Sequence, residues 1–435
     1  MSFFYIYIMK KIILVLSLLI INSYDGQFKI NITAPASFGP KEVYLYTLNG
    51  SKDVLTSKEV KKGNAWQISV PKSYTGMLKL YFPENNASIN FISENKDVQL
   101  KFDTENNKIT NVEYLDEANF AMSQKQDIQQ KKEYILPALY QMKGYYSDKS
   151  EFGKSLENEI LRLSSPEKNT AKFPFINYYN TNYSRFLEKS ADKQAITHLQ
   201  IIDFINKSNE MLETSSLLRP ILVSYLNIGS KSNIGTTVDQ LLESVNTETP
   251  RGQTVLSELI EIFDTYGMQD MKQKYLAEAK SLKCTINDRL TNTIATNANT
   301  EIGAIFPNYV FNSPTNTKAK SILDIKADKK IIIFWASTCS HCETELPKII
   351  EKYKAIKALN GEVIAFSLDS EKAAYEDKVK MLPWINDSEL KGWNSSFSET
   401  YNIHATPSYF ILDSANKIIA KPDHAVDVIS YLKLN

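Results

Sequence analysis

Three parts are expected of this chain: an antiparallel β-sandwich-like domain, an all-α region, and a C-terminal α/β domain. Two changes of hydrophobic rhythm carry that expectation. Period-2 alternation runs to about residue 112, helical spacing of three and four runs to about residue 300, and alternating strands and helices fill the remainder. Length agrees, because 435 residues exceed one domain of ~100–200 residues. With 43% hydrophobic and 23% charged residues, the chain has the material for sizeable cores and is not a disordered polymer.

The first segment, residues 1–26, reads as an export signal. Lys10 and Lys11 precede an apolar run from Ile12 to Ile21, broken only by Ser17. Asn22, Ser23, Tyr24, Asp25 and Gly26 form a polar exit with small residues. The run is shorter than the ~20 residues a spanning helix needs. Met9 opens a cleaner signal than Met1, and Phe3 to Ile8 would matter only as a retained anchor. The expected location is therefore periplasmic, with membrane contact only through this segment if it stays uncleaved. Disulfides persist in such a compartment.

Residues 27–112 form the β part. Strands are expected at Phe28–Ile32, Glu42–Tyr46, Ala65–Val70, Leu78–Phe82 and Val98–Phe102, with turns at Asn49-Gly50-Ser51 and Lys62-Gly63-Asn64. Residues 113–300 form the helical part, with segments at Glu117–Gly144, Glu151–Leu163, Gln194–Leu212, Ser216–Leu226 and Leu256–Leu282. Val255, Leu256, Leu259, Ile260, Ile262 and Phe263 make a wide buried stripe. His198 stands alone, and Cys284 reads as a small buried hydrophobe, with a resolving or mixed-disulfide thiol as the alternative. Residues 301–435 form the α/β part. Ile331–Ala336 and Glu362–Leu368 are buried strands, and helices are expected at about 340–358, 371–379 and 426–433. Pro407–Leu412 and Lys417–Ala420 form a hairpin across Asp413–Asn416.

Chemistry concentrates at Cys339-Ser340-His341-Cys342, between a strand and a helix. A thiol at a helix start faces unpaired N–H groups and the positive end of the helix dipole, which stabilise its thiolate. Cys339 is therefore the expected nucleophile. Cys342, one turn on and more buried, is the expected resolver of a mixed disulfide. His341 between them adds to thiolate stabilisation when protonated, with a solvated helix residue without a redox role as the alternative. Zinc is not expected, because four ligands are needed and only Cys284 and scattered histidines remain. Haem attachment wants His directly after the second Cys, where Glu343 stands. No cofactor is required, because the dithiol itself carries two electrons. Fifty basic and fifty acidic residues cancel, so no net field draws nucleic acid.

The run Phe334-Trp335-Ala336-Ser337-Thr338-Cys339-Ser340-His341-Cys342-Glu343-Thr344-Glu345-Leu346-Pro347 resembles the active-site segment of the thioredoxin superfamily, specifically the exported TlpA/ResA-like thiol–disulfide oxidoreductases. Glu345 and Pro347 match the Glu-x-Pro of that branch. Ala405-Thr406-Pro407-Ser408-Tyr409-Phe410 resembles its cis-proline loop. The resemblance implies a thioredoxin fold for 301–435, with Trp335 among the residues supporting the site. It also implies a substrate platform in which Thr406 lends backbone hydrogen bonds and Pro407 packs beside the cysteines. The upstream parts are similar to N-terminal extensions of exported thioredoxin-like proteins of Bacteroidetes.

Three departures stand out. The buried Asp of minimal thioredoxins is Ile333 here, and the Trp before the first Cys is Thr338. Glu345 is then a candidate substitute for the missing acid, with a purely structural role as its equal. The dipeptide Ser340-His341 is closer to the Pro-His of DsbA-type oxidants than to the Gly-Pro of reductants, so redox direction stays open. The expected partners are exported protein thiols or disulfides and a redox donor or acceptor. A thiol peroxidase is a weaker reading, since residue 336 is Ala where that family has Thr and 301–435 contains no Arg. An exported binding module with an accessory redox domain is the reading from another class.

Overall fold

The computed structural model describes residues 28–106, 108–164, 172–188, 195–228 and 234–434. The expected export signal lies outside them. Among the described residues no helix is long and apolar enough to cross a membrane. The chain divides into two compact units, Met1–Lys231 and Ser232–Asn435.

The first unit begins with two four-stranded sheets. One has the order β4-β1-β7-β8, from Ala65–Val70, Phe28–Thr33, Val98–Glu105 and Lys108–Tyr114. The other has the order β3-β2-β5-β6, from Lys52–Val60, Glu42–Asn49, Thr75–Phe82 and Ala87–Glu94. Alternate residues of both sheets meet in one core that includes Ile30, Ile32, Val43, Leu45, Ile68, Leu80 and Leu100. Phe38, 1% exposed, stands edge-on to Trp66, Phe82 and Phe102 at its centre. One pairing departs from the antiparallel expectation: β1 runs parallel to β7, with Ile30 opposite Val98. Each strand has its other edge filled by an antiparallel neighbour, β4 and β8, so neither is left bare.

The helices of this unit start at Glu117–Gln130 (α1), whose N-cap Asp116 accepts from Asn119 N–H. Asn119 is buried, and its side chain accepts from Ile92 N–H and donates to Ile92 C=O, which seats α1 on the edge strand β6. The expected helix Glu117–Gly144 is interrupted by a π turn at Lys131–Ile135 before Leu136–Lys143 (α2). Pro137 at the start of α2 has no N–H to return to the preceding turn, and the wider turn accommodates it. Glu151–Ser164 (α3), Pro174–Phe186 (α4), His198–Lys207 (α5), Met211–Thr214 (α6) and Leu218–Asn227 (α7) follow.

The second unit opens with Ile234–Val245 (α8), Pro250–Thr265 (α9), Gln269–Ser281 (α10) and Asp288–Ala298 (α11). The expected single helix Leu256–Leu282 is in fact α9 and α10, split at Gly267. Gly267 takes φ 68°, and the N–H groups of Met268 and Gly267 bond back to the carbonyls of Phe263 and Asp264, a Schellman end. Every residue of α9 from Gly252 to Phe263 is buried. Glu258 and Glu261 on it are held by Arg289 of α11 at 3.1 and 2.6 Å.

A five-stranded sheet follows, ordered β11-β10-β9-β12-β13: Ile385–Ser388, Gly361–Ser367, Lys329–Trp335, Ser408–Asp413 and Ile418–Ala420. β9, β10 and β11 are parallel, while β12 and β13 close the sheet antiparallel. The sheet is covered on both faces. Ile331, Ile333 and Trp335 point to one layer, with Ser340–Ala358 (α12) and Ala425–Tyr431 (α15). Ile332 and Phe334 point to the other, where Phe366, Phe397, Tyr401 and Phe410 pack. Lys372–Val379 (α13) and Ser396–Thr400 (α14) complete the connections. Strands alternating with helices and ending in a hairpin and a helix is the plan the sequence predicts.

Candidate active site

The site lies where β9 ends and α12 begins. Parallel pairing sets Trp335, the last residue of β9, opposite Ser367, the last of β10. The carboxyl ends of the strands therefore align at one edge of the sheet, the position where open α/β sheets bind ligands. The chain turns through Ala336–Thr338 and enters α12 with Cys339 as N-cap.

Asp369, two residues past β10, holds that turn. Its carboxylate accepts from Ser337 N–H at 3.0 Å to both oxygens, from Ser337 Oγ at 2.6 Å and from Ser367 Oγ at 2.6 Å. The group is 4% exposed. Sequence reading missed it; the polar Asp369-Ser370 following a buried strand was the available signal.

Cys339 is half-buried and Cys342 is 2% exposed. They are joined as a disulfide, with Cα atoms 5.2 Å apart. The Cys342 N–H points at Cys339 Sγ, 3.1 Å away. A helix N-terminus thus presents a backbone donor to this sulfur, in the geometry that stabilises a thiolate. On its other side, Cys339 Sγ lies 3.2 Å from the Thr406 carbonyl oxygen. The Thr406–Pro407 peptide bond is cis. The structure thus brings Cys339, Cys342, Thr406 and Pro407 to one place.

Of the residues expected to support the site, Trp335 is buried in one core cluster with Cys342, Ile333 and Tyr409, its ring 6.2 Å from that of Tyr375. Its Nε1 has no hydrogen-bond partner among the described residues. His341 is exposed on the first turn of α12. Glu345 is 9% exposed and faces α15: Oε2 accepts from Ala425 N–H at 2.6 Å and Oε1 pairs with Lys348 at 2.6 Å. Burial alone would raise its pKa. The Lys348 ammonium and the Ala425 N–H outweigh that and hold it below the ordinary carboxylate range. Ile333, at the position of the missing acid, is wholly buried opposite Tyr409 in the strand register. Burial raises the Tyr409 hydroxyl pKa, with the Glu345 charge adding to it.

Away from the site, Cys284 is a free thiol, half-buried rather than buried as expected, that accepts from Gln253 Nε2 at 3.3 Å. His198 bonds the Tyr225 carbonyl at 3.1 Å, as a satisfied histidine does. Among the described residues no group of His, Cys, Asp and Glu is placed to hold a metal ion.

Known proteins share this site-bearing portion. The profile of the AhpC/TSA family matches residues 302–421. A thiol–disulfide oxidoreductase ResA of Bacillus thuringiensis subsp. konkukian is 30% identical over 123 residues, covering 27% of this chain and 68% of the relative. The chain belongs to the ResA-like thiol–disulfide oxidoreductases. The ResA of Bacillus cereus strain ZK is 28% identical over 125 residues, 28% of this chain and 69% of its own. Among solved structures, the thioredoxin domain of a thiol–disulfide oxidoreductase from Bacteroides vulgatus is 21% identical. It covers 31% of this chain and 96% of that domain, with a TM-score of 0.28. The ResA-like portion is thus the last third of the molecule, and the enzyme is a thiol–disulfide oxidoreductase built on a thioredoxin-like domain with a long N-terminal extension.

Proposed function

We propose that this ResA-like enzyme works in the periplasm and exchanges disulfides with exported proteins through Cys339-Ser340-His341-Cys342. The asymmetry of the two sulfurs carries the reading: Cys339 is accessible and capped by a backbone donor, while Cys342 is buried one turn on. In the reducing direction the Cys339 thiolate attacks one sulfur of a substrate disulfide and expels the other as a thiolate. The Cys342 thiolate then attacks Cys339 Sγ and releases the second substrate thiol. Two electrons pass to the substrate, and the enzyme keeps the Cys339–Cys342 disulfide. The oxidising direction is the reverse.

The Thr406 backbone and Pro407 form the wall against which the substrate chain lies, next to Cys339 Sγ. Trp335 shares the buried core cluster of Cys342. His341, exposed beside Cys339, is available to an incoming partner. Glu345 supports the site as a positioning residue, because a carboxylate kept ionised by Lys348 and the start of α15 is a poor proton carrier. Export rests on Lys10, Lys11 and the apolar run after them.

Two variants test the assignment. Cys342→Ser accumulates mixed disulfides with exported proteins through Cys339, seen as thiol-sensitive adducts on non-reducing gels. Cys339→Ser accumulates none. Adducts at equal levels in both variants would refute the assigned roles. Glutathione titration of the pair then fixes direction: about −270 mV marks a reductant and about −120 mV an oxidant.

A further inference from the structure

Beside the redox pair, the second unit holds a cleft of about 630 Å³, within the size range of ligand sites. One wall comes from the α9–α10 turn and the end of α11. The other comes from residues 402–410 and 421–423. Ala405 and Pro407 line it. These residues flank Thr406, whose carbonyl is 3.2 Å from Cys339 Sγ, so a polypeptide lying across the loop at the sulfur has this cleft next to it.

The charges in the cleft are unevenly matched. Asp264 is engaged by Lys272 at 2.7 Å and by Asn402 Nδ2, with His404 Nε2 at 3.7 Å. Glu301 is paired with Lys280 at 2.9 Å. Asp423 is exposed at the rim. Lys421 is half-buried, makes no ion pair among the described residues, and has its Nζ 5.1 Å from the centre of the Phe410 ring. Burial, with the Lys272 ammonium nearby, lowers its pKa to about 8; Asp264, Asp423 and Glu301 oppose that shift only in part. A partly desolvated ammonium with no carboxylate in ion-pair contact among the described residues gains most from an anion that arrives already positioned.

We propose that this cleft is a specificity subsite of the redox site, in which Lys421 receives an acidic side chain, Asp or Glu, lying close in sequence to the substrate's reacting cysteine. The inference rests on the proposed exchange with protein substrates. It deepens that reading, because the mixed disulfide tethers the polypeptide beside the cleft and makes the contact effectively intramolecular.

The test uses the reduced full-length protein and short acetylated, amidated peptides. Each peptide carries one cysteine as a mixed disulfide with 2-mercaptoethanol, and either Glu or Gln at one of the neighbouring positions. Acid quenching and mass spectrometry give the rate at which peptide thiol and 2-mercaptoethanol are released as the enzyme dithiol becomes a disulfide. At about pH 7, Glu at one or two positions should react about tenfold faster than Gln, the value of a modest charge-assisted contact. That ratio should fall toward one as pH rises through about 8 and the Lys421 ammonium is lost; taking a ratio cancels the pH dependence of thiol ionisation itself. Lys421→Met should abolish the preference and Lys421→Arg should keep it at high pH. Equal Glu and Gln rates at every position, with brisk exchange, would overturn the subsite alone. No exchange with any of the peptides would overturn the oxidoreductase reading beneath it.

Discussion

Replacing Asp369 by Asn should loosen the turn that delivers Cys339 to the helix, with the fold otherwise intact. The carboxylate accepts from Ser337 N–H, Ser337 Oγ and Ser367 Oγ while 4% exposed. Asn keeps the shape and one acceptor oxygen, but it removes the charge and turns the other oxygen into a donor. Hydrogen bonds to charged groups contribute about 1.5–3 kcal/mol against about 0.5–1.5 for neutral ones, so three contacts lose about 3 kcal/mol. The lower cost of burying a neutral amide offsets part of this, leaving about 2 kcal/mol. That corresponds to a roughly thirtyfold larger open population of the turn. Hydrogen–deuterium exchange by mass spectrometry, on the oxidised full-length protein, reads it directly. Peptides spanning residues 334–342 should exchange about thirtyfold faster, while peptides from the N-terminal sandwich keep their wild-type rates. Wild-type protection across 334–342 in the Asn variant would refute the idea that this carboxylate holds the turn.

Other perturbations have equally definite outcomes. Arg289→Met takes the guanidinium away from Glu258 and Glu261, which are almost wholly buried, and should cost about 3–5 kcal/mol, seen as a lower urea midpoint. Phe38→Ala empties the meeting point of Trp66, Phe82 and Phe102 and should cost about 3–5 kcal/mol, read by unfolding of the sandwich through Trp66 fluorescence. Glu345 is a depressed carboxylate, so its stabilisation is complete above the unfolded-state pKa of about 4.3 and is lost as pH falls through the lower folded-state value. Glu345→Gln should therefore lower the thermal midpoint at neutral pH and narrow its gap from wild type on acidification; a constant gap down to about pH 3 would contradict the charged pairing with Lys348 and Ala425.

What the sequence discloses is what one stretch of chain can specify alone. Cys339 and Cys342 share a segment in which the strand, the turn and the first helical turn are consecutive, so their unequal exposure follows from local geometry. The interruption at Gly267 was local as well; Thr265-Tyr266-Gly267 is a helix end written in the sequence, overridden in the reading by the apolar spacing on either side. Strand β3 escaped because it is an edge strand exposed on both faces, and without a buried face there is no alternation to detect. Strand β11 escaped for the opposite reason. Ile385-Asn386-Asp387-Ser388 is entirely buried although three of its four residues are polar. Asp387 accepts from the N–H groups of Asn312 and Ser313, and Asn312 and Ser313 are some seventy residues earlier in the chain. Asp369 belongs to the same class. Its place in the site depends on β9 and β10 being parallel and on Trp335 standing opposite Ser367, a register that no single segment encodes. Lys421 differs again. Its significance lies in the carboxylates that other cations already occupy, Asp264 by Lys272 and Glu301 by Lys280, and that accounting exists only once α9, α10 and α11 are folded against the redox domain. The cysteine pair of a thioredoxin-like site is thus readable from its own segment, whereas the groups packed around it become readable only through strand register and charge pairing.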